Sequence, residues 1–493
     1  MKDEGLFFDL ISFDPRGVNN TTPHLPCFPN GFALQAWLLE ELDYGVRWSS
    51  DANIAYTYAR AAALGRSCQR ANPSNESIVR YVSTAQTAAD MLEIIERHGQ
   101  WREDQAARYM RRDVDSVPER LKWQKGEEKI MYWGQSYGTA LGQTFATLYP
   151  SRISRMILDG VLDAEDYYAG LWQANLLDSD KIVAQYCRYC FEAGPSACPL
   201  YLAAGSEAIE ERFVSILKDL KQHPIPLGSG DEGPSVVSYG DVHLYLLAAL
   251  YFPTTWAEPF FHMMASIEAG RINETVLNGL KWGIAQPESI SKVCHGEPFG
   301  EACLASLPYV SGLGAFQSIS CMDSIGAGAT PPSLEDFKGD LKFMMNQSQW
   351  IAANWVQNRL ACVGFDTKPA WAFSQVIGGA TSHPILAIGN TYDTVTPLRN
   401  AQQIPQIFPG AKALQQDSEG HCSYSNPSLC TARYVWQYFQ TGELPQNGAI
   451  CEPEWRPFLG GVKHEGLDDD ARLLDVLRSL EDTWAKDPIA RVA

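Results

Sequence analysis

The sequence lacks any long hydrophobic run. Its longest apolar stretch, Leu244 to Phe252, stops at Pro253, and it is far shorter than the roughly 20 apolar residues that a membrane-spanning helix needs. The charged start at residues 1–5 differs from a signal peptide, in which a positive segment precedes an apolar one. We therefore expect no membrane span and no signal peptide in the sequence as it stands.

Positive charge is also scarce. The 493 residues include 39 Lys and Arg against 58 Asp and Glu, for a formal net charge of −19. A surface that binds nucleic acid needs an excess of basic residues to meet the phosphates, and an anionic membrane likewise attracts basic segments. The composition therefore argues against a nucleic-acid partner and against an anionic membrane surface. Acidity of this kind commonly keeps a globular protein soluble.

Zinc-type cysteine spacing is absent as well. Cys187 and Cys190 form a CxxC pair, but Cys198 follows alone, without a second pair or a histidine pair at metal spacing. The twelve cysteines are better explained by disulfides in an oxidising compartment. Glycosylation sequons agree with a secreted glycoprotein, although such triplets also arise by chance; they are Asn19, Asn20, Asn75, Asn273 and Asn346.

Short apolar runs alternate with stretches of helical periodicity, which predicts a mostly parallel α/β sheet. The predicted strands are Leu6–Phe13, Lys129–Trp133, Ile153–Leu158, Pro384–Gly389 and Ala413–Gln416. The predicted helices are Ser83–His98, Thr139–Tyr149 and Asp468–Lys486. The alternation fails in the middle of the chain, where aromatic and Leu-rich helical stretches are separated by loops. We therefore predict an N-terminal part of the core at 1–166, a large helical lid at 167–350 and a C-terminal part of the core at 351–493.

The predicted strand Lys129–Trp133 runs into Gly134-Gln135-Ser136-Tyr137-Gly138 and then into a helix. In this strand–turn–helix setting, G-x-S-x-G typically exposes a nucleophilic serine on a strained turn, and the flanking glycines avoid a collision. The helix N-terminus favours a developing oxyanion. We predict Ser136 as nucleophile and the backbone N–H of Tyr137 as one oxyanion donor. The alternative is a serine with only a structural role in the turn.

Serine needs a base, and the base needs an orienting carboxylate. In the α/β-hydrolase fold these follow in the order acid, then histidine, each in a loop after a strand. Asp393 is the only carboxylate in the loop after Pro384–Gly389, and His421 follows Ala413–Gln416 in Glu419-Gly420-His421. We predict Asp393 as acid and His421 as base. Asp159, which also follows a strand with Asp163 close behind, is the reserve for the acid.

Several motifs together resemble the prolyl/tripeptidyl aminopeptidase family of α/β-hydrolases. They are Phe13-Asp-Pro-Arg-Gly-Val18, Gly134-Gln-Ser-Tyr-Gly-Thr139, Leu158-Asp-Gly-Val161, Asp393-Thr-Val-Thr-Pro397 and Gly420-His-Cys-Ser423. The last third resembles the tripeptidyl-aminopeptidase-type C-terminal region of that family. The resemblance implies a secreted exopeptidase that acts at free peptide N-termini and needs no metal and no cofactor. It also suggests the disulfides Cys27–Cys68, Cys321–Cys362 and Cys430–Cys451.

The chain departs from the family at two places. After Arg-Gly-Val the family usually has glycine and serine, where this chain has Asn19-Asn20-Thr21. Two or three strands and a glycine-rich loop, which supplies the second oxyanion N–H, normally precede the strand predicted at Leu6–Phe13. Their absence would leave unpaired backbone groups within the sheet. We therefore expect the sequence to be an incomplete gene model or a fragment that lacks its first strands and signal peptide.

Three functions fit these residues. The first is a serine exopeptidase (aminopeptidase or tripeptidyl aminopeptidase type) acting on peptides, which must bind an α-ammonium group through a carboxylate. Glu165, Asp166 and Glu258 are candidates for that carboxylate, unless they are merely solvated charges. The second is an esterase or amidase of the same fold acting on a small metabolite, because function depends on the pocket rather than on the fold. The third is a catalytically impaired binding protein without a complete oxyanion site.

The predicted lid is rich in aromatic residues, which suit an apolar acyl or aryl substrate or, alternatively, simply pack the lid core. They are Tyr167, Tyr168, Trp172, Tyr245, Tyr251, Phe252 and Trp256.

Overall fold

A parallel sheet organises the chain in the computed structural model, which describes residues 7–23, 50–71, 77–110, 117–230, 233–271, 312–461 and 468–485 and a few positions between 25 and 40. The described strands are β1 (Ile130–Gln135), β2 (Ile153–Asp159), β3 (Ile225–Gly230), β4 (Gly233–Val237), β5 (Leu386–Tyr392), β6 (Lys412–Glu419), β7 (Ile450–Cys451), β8 (Trp455–Arg456) and β9 (Gly460–Gly461). The main sheet has the order β1-β2-β5-β6-β7, and every neighbouring pair in it is parallel. The predicted α/β fold is confirmed.

Helices are packed around this sheet, and several of them lie in the described parts of the chain between β2 and β5. They are α1 (Asp51–Ala71), α2 (Thr84–Met110), α3 (Tyr137–Leu148), α4 (Ala164–Tyr168), α5 (Ser179–Ala193), α6 (Ser206–Gln222), α7 (Tyr239–Tyr251), α8 (Pro253–Glu268), α9 (Gly312–Gly326), α10 (Leu334–Met345), α11 (Ala352–Trp355), α12 (Leu398–Ile407), α13 (Leu429–Thr441) and α14 (Asp468–Ala485).

Small residues let α3 lie directly on the sheet. A Cβ added at Gly142 would lie 2.6 Å from Leu158 Cδ2 and 2.9 Å from a ring carbon of Tyr132. A larger residue at this position would therefore push the helix off β1 and β2. This close approach sets the position of the α3 N-terminus, where Ser136 is found.

The strand predicted at Leu6–Phe13 is wrong. Residues 7–13 form no strand, and Phe7 and Leu10 are 91% and 99% exposed. A parallel strand requires a partner with free N–H and C=O groups, and among the described residues no strand lies beside β1 except β2. The segment instead lies on the surface, where the ring of Phe8 is 6.2 Å from that of Phe439.

The described part of the segment between β2 and β5 is mostly helical, as predicted, but it also contains an antiparallel hairpin of β3 and β4 that we did not predict. It contacts the loop after β5. Ser179 Oγ donates to Thr394 O at 2.6 Å, and Thr394 Oγ1 donates to Leu250 O at 2.6 Å. These buried bonds hold helices of this segment over the carboxyl ends of the strands. The division of the chain at residues 166 and 350 stays a prediction.

Disulfides join Cys27 to Cys68 and Cys430 to Cys451, as the resemblance suggested, and a third joins Cys190 to Cys198. The suggested Cys321–Cys362 disulfide is wrong, because both thiols are free. The Cys362 thiol is instead a hydrogen-bond donor to Cys321 O at 3.4 Å. Of the helices that the structure describes, none combines the length and the apolarity needed to span a bilayer.

Candidate active site

Ser136 lies on the turn between β1 and α3, in a backbone conformation that non-glycine residues rarely adopt (φ 53°, ψ −122°). Its N–H donates to Asp159 O at 3.0 Å, and Thr139 Oγ1 donates to its carbonyl at 2.6 Å. A Cβ added at Gly134 would lie 2.4 Å from Gly138 O. The turn therefore requires glycine at 134, which is why the sequence motif places serine here.

Tyr137 is the first residue of α3, so its backbone N–H has no acceptor within the helix. Its side chain points into a buried polar cluster. The phenol is 2.6 Å from Thr84 Oγ1, and Asp323 accepts hydrogen bonds from Thr84 N and Tyr167 Oη, each at 2.7 Å. Burial raises the pKa of Asp323 to about 6. This cluster anchors the residue that follows Ser136.

Asp393 lies in the loop directly after β5 and is fully buried. Its Oδ1 accepts from Val395 N at 3.0 Å and from Thr396 N at 2.8 Å, and its Oδ2 accepts from Cys422 N at 2.8 Å. Burial by itself would raise the pKa of Asp393, but His421 and these backbone donors hold it below its ordinary value. The carboxylate is thus kept charged in a buried place.

His421 follows β6 and is buried against the segment between β2 and β5. Its Nδ1 is 2.9 Å from Asp393 Oδ1 and 3.2 Å from Thr396 Oγ1. Since a carboxylate only accepts, Nδ1 carries the proton in this pair, and in the neutral ring Nε2 keeps its lone pair. His421 N donates to Tyr251 O at 3.0 Å, and the two rings meet edge to face with centroids 5.0 Å apart. The ring is held from both sides.

Gly420 makes this placement possible. Its φ is 102°, and an added Cβ would lie 2.5 Å from Ser425 Oγ and 2.6 Å from Pro253 Cδ. Only glycine combines that conformation with such a close approach. The Gly-His pair in the sequence therefore indicates a real structural constraint.

Cys422 lies beside the Nε2 edge of the imidazole. Its Sγ lies 3.6 Å from His421 Nε2 and 3.5 Å from Asp159 O, the carbonyl that also accepts from Ser136 N. Burial raises the pKa of Cys422 well above that of an ordinary thiol, so the group is neutral. Sequence reasoning missed this residue, and its only signal was its place beside His421.

The structure thus pairs Asp393 with His421 and places Ser136 and Cys422 around one carbonyl oxygen, Asp159 O. No described residue forms a hydrogen bond with Ser136 Oγ, so a bond between the predicted nucleophile and the predicted base is not present in this conformation. The arrangement supplies a buried carboxylate–imidazole pair next to a serine at a helix N-terminus.

Asp159, the alternative candidate for the acid, binds the loop after His421 instead. Its Oδ1 accepts from Ser423 N at 2.9 Å, and its Oδ2 accepts from Ser423 Oγ at 2.6 Å and from Trp133 Nε1 at 3.3 Å. Burial raises the pKa of Asp159 to about 6. We infer from these contacts that it positions the His421 loop.

Two of the three carboxylates predicted to bind a substrate amine hold turns together. Asp166 accepts from the backbone N–H groups of Gln173 and Ala174 at 3.1 and 3.2 Å, and Glu258 accepts from Phe458 N at 2.7 Å. Glu165 is exposed.

The loop that contains Arg16 is tied to α2, because Arg16 forms a bidentate pair with Asp90, both bonds at 2.6 Å.

Comparison with known proteins agrees with this architecture. Residues 6–184 match the family described as alpha/beta hydrolase fold, and residues 348–451 match the family described as TAP-like protein. Serine protease Hip1 of Mycobacterium tuberculosis is 22% identical over 450 residues, covering 90% of this chain and 74% of the relative. Tripeptidyl aminopeptidase of Streptomyces lividans is 21% identical over 455 residues, covering 91% and 71%. Carboxylesterase B of M. tuberculosis is 23% identical over 464 residues, covering 90% and 74%.

Proposed function

Because the chain belongs to the α/β-hydrolases and has a TAP-like C-terminal region, we propose that this hydrolase is a serine exopeptidase that cleaves peptide bonds near free N-termini. The observation that carries the proposal is the buried hydrogen bond of 2.9 Å between His421 Nδ1 and Asp393 Oδ1, beside a serine on a strand-to-helix turn. Relatives named as a serine protease and a tripeptidyl aminopeptidase support the substrate class.

In the proposed reaction, Ser136 Oγ attacks the scissile carbonyl while its proton passes to His421 Nε2. Asp393 keeps the ring oriented and stabilises the imidazolium. The N–H of Tyr137 donates to the oxyanion. His421 then protonates the leaving amine, and an activated water hydrolyses the acyl-enzyme. The step requires Nε2 to exchange the Cys422 thiol for the Ser136 hydroxyl as its partner.

Recognition of a free N-terminus calls for a carboxylate near the scissile bond. Asp166 and Glu258 are engaged in turns. Glu165 lies exposed in the first turn of α4, shortly after β2 ends. We therefore keep Glu165 as the amine-binding candidate among the three.

An esterase or amidase of the same triad is the second candidate function. It is favoured by the similarity to a protein named carboxylesterase B and by the aromatic residues of the segment between β2 and β5. Those rings pack on one another, as Tyr167 does on Trp172 with centroids 5.3 Å apart. They therefore pack the helical segment itself and leave less free aryl surface for a substrate.

Substrate assays separate the two functions. We expect hydrolysis of tripeptide anilides that have a free N-terminus, strong loss of hydrolysis on N-acetylation, and weaker turnover of simple aryl esters. Equal turnover of free and acetylated anilides, or a preference for aryl esters, would favour the second function.

The nucleophile is tested by labelling with a fluorophosphonate probe. The wild-type chain should be labelled and Ser136→Ala should not, whereas Ser215→Ala, which changes an exposed serine on α6, should keep the label. Labelling that survives in Ser136→Ala would contradict the proposed role of Ser136.

The disulfides fit an oxidising compartment, and we propose that the protein is secreted and glycosylated. Asn19, Asn20 and Asn346 are exposed, and the sequons at Asn75 and Asn273 lie outside the described residues. A shift in electrophoretic mobility after glycosidase treatment of secreted material would support this; protein found only in the reducing cytosol would oppose it.

A further inference from the structure

His421 and Cys422 place two metal-ligating atoms together in the candidate site. Their side chains and that of Asp393 form a buried group whose ligand atoms all lie within 4.8 Å of one another. Asp393 already forms a hydrogen bond with Nδ1 on the other side of the His421 ring. The atoms left to meet a cation are therefore His421 Nε2 and Cys422 Sγ, which are 3.6 Å apart.

We propose that His421 and Cys422 form an inhibitory site for a soft divalent cation such as Zn²⁺ or Cd²⁺. Tetrahedral zinc binds thiolate sulfur at about 2.3 Å and imidazole nitrogen at about 2.0–2.1 Å, which places the two ligand atoms about 3.5 Å apart. The observed separation of 3.6 Å is close to this value.

The surroundings of the pair also suit a metal. A ligating histidine commonly donates its second N–H to a carboxylate, which fixes the tautomer and strengthens the nitrogen as a ligand. Asp393 does this for His421 at 2.9 Å. The proposed catalytic pair thus already has the carboxylate–histidine arrangement of a metal site, and Cys422 supplies the thiolate that selects a soft cation.

Binding has a simple balance. The cation takes the lone pair of Nε2 and the sulfur of Cys422, the thiol proton leaves to solvent, and water fills the remaining positions. Because Nε2 is then occupied, it cannot accept the proton of Ser136. Ser136 is only half-buried, so the turn beside the site reaches the surface. The inhibitory effect depends on the proposed function, whereas the binding itself does not.

A Cd²⁺ titration of the full chain, followed by the ultraviolet absorption of the cadmium–thiolate bond, tests binding. We expect saturable binding that is lost in Cys422→Ala and in Cys422→Ser, the second keeping the size of the side chain, and at least about tenfold weaker in His421→Ala. The matched control is Cys362→Ala, which removes another buried free thiol; it should keep the Cys422-dependent signal. A signal that is lost in Cys362→Ala and kept in Cys422→Ala would overturn the site.

Peptide hydrolysis and fluorophosphonate labelling test inhibition. Zn²⁺ or Cd²⁺ should block both in the wild type, a chelator should reverse the block, and the ratio of rates with and without metal should approach one in Cys422→Ser. Mg²⁺ and Ca²⁺, which prefer oxygen ligands, should have no effect and so control for the many surface carboxylates. Active enzyme that is unaffected by Cd²⁺ would sink this inference and leave the proposed function standing. Cys422-dependent metal binding in a chain that hydrolyses nothing would support the metal site and contradict the proposed function.

Discussion

At the scale of single residues, unusual backbone conformations shape the candidate site. Ser136, Gly420 and Cys422 all have positive φ, at 53°, 102° and 62°. For a residue other than glycine such a conformation costs about 1–3 kcal/mol, and it persists only where surrounding contacts fix it. Asp393 supplies one such contact, because it accepts from Cys422 N at 2.8 Å. The carboxylate therefore fixes both the imidazole and the backbone that follows it.

We predict that Asp393→Asn lowers kcat by about 10³–10⁴. The amide has one oxygen where the carboxylate has two, so its NH₂ group must face a donor, either His421 Nδ1–H or one of the backbone N–H groups. The imidazole then loses its orientation and its charge partner. Steady-state kinetics on a peptide anilide, with circular dichroism to verify folding, measures the effect.

Asp163→Asn is the control for that substitution. Asp163 also follows β2 in sequence, but it caps α4 by accepting from Asp166 N at 3.1 Å, and asparagine is an equally good N-cap. Its activity should stay near that of the wild type. A loss of less than tenfold in folded Asp393→Asn would point to another acid, with Asp159 examined first.

The sequence predicted that Ser136, Asp393 and His421 each follow a strand, because the apolar runs before them identify β1, β5 and β6. It could not predict the contact between Cys422 Sγ and His421 Nε2, or the bonds from Ser423 to Asp159. Those contacts depend on how the loop after β6 folds against the end of β2. No local pattern encodes that packing.

At the scale of elements, the turn from β1 to α3 leaves no room for a side chain at Gly134. The neighbouring atom is a backbone oxygen, Gly138 O, 2.4 Å from an added Cβ, so the strain cannot be relieved by rotating a side chain. Tyr132 Oη also donates to Gly138 O at 2.7 Å and braces the turn.

We predict that Gly134→Ala destabilises the fold by about 1–3 kcal/mol, the usual cost of overpacking, and lowers activity by displacing Ser136. The matched control is Gly339→Ala on α10, where an added Cβ meets no atom within 4 Å. Alanine there should stabilise the helix by about 0.5–1 kcal/mol. Thermal unfolding of both variants measures the contrast, and equal effects would refute the steric account.

Helix α14 is docked through a buried carboxylate. Glu481 accepts from Thr255 Oγ1 at 2.9 Å and also contacts Thr254 Oγ1 in the first turn of α8. Trp256 Nε1 donates to Ala485 O at 3.1 Å. Burial raises the pKa of Glu481 to about 8, and the nearby charge of Asp482 adds to the rise. The hydrogen bond from Thr255 and the charge of Arg478 lower the pKa and so partly offset it.

We predict that this docking weakens as pH rises. The unfolded carboxyl has a pKa of about 4.3, so between about pH 4 and about pH 8 the folded state holds a proton that the unfolded state has lost. Stability therefore falls over this window, with a slope of up to about 1.4 kcal/mol per pH unit. Glu481→Gln, which cannot ionise, should remove the slope.

Hydrogen exchange of Asp468–Ala485, compared between Glu481→Gln and wild type at the same pH, reads out the effect. At low pH the two proteins should exchange the amide hydrogens of this helix at similar rates, and near pH 8 the variant should exchange them more slowly than the wild type. Asp475→Asn, which changes an exposed carboxylate on the same helix, is the control and should follow the wild type. Wild-type protection that does not fall relative to the glutamine variant would contradict the prediction.

At the scale of the whole molecule, the sheet could be predicted wherever apolar runs are buried between helices. The predicted strands Lys129–Trp133, Ile153–Leu158, Pro384–Gly389 and Ala413–Gln416 correspond to β1, β2, β5 and β6. The run Leu6–Phe13 is also apolar, but its described residues 7–13 lie exposed, because apolarity cannot form a strand without a partner to pair with. The β3–β4 hairpin was missed because its Gly- and Pro-rich sequence resembles a loop.

A second, smaller core lies beside the sheet and joins distant parts of the chain. It contains Leu25, Cys27, Leu64, Cys68, Val79, Val82, Ile319, Cys321, Met322, Cys362 and Phe365. The Cys27–Cys68 disulfide lies within it, and an added Cβ at Gly314 on α9 would be 2.5 Å from Cys27 Sγ. This bridge therefore ties a segment near the start of the described chain to α1 and packs against α9.

We predict that the double variant Cys27→Ser/Cys68→Ser loses more stability than Cys190→Ser/Cys198→Ser. The first bridge spans a sequence separation of 41 residues and the second only 8, so the chain-entropy model gives about 4 and about 2.5 kcal/mol respectively. The longer loop also joins separate elements, whereas the shorter one closes the end of α5 locally. Denaturant unfolding under non-oxidising conditions, with activity and fluorophosphonate labelling followed in parallel, gives both stabilities. A larger loss from the short loop would show that native contacts around Cys190, rather than restriction of the unfolded chain, dominate the contribution of these bridges.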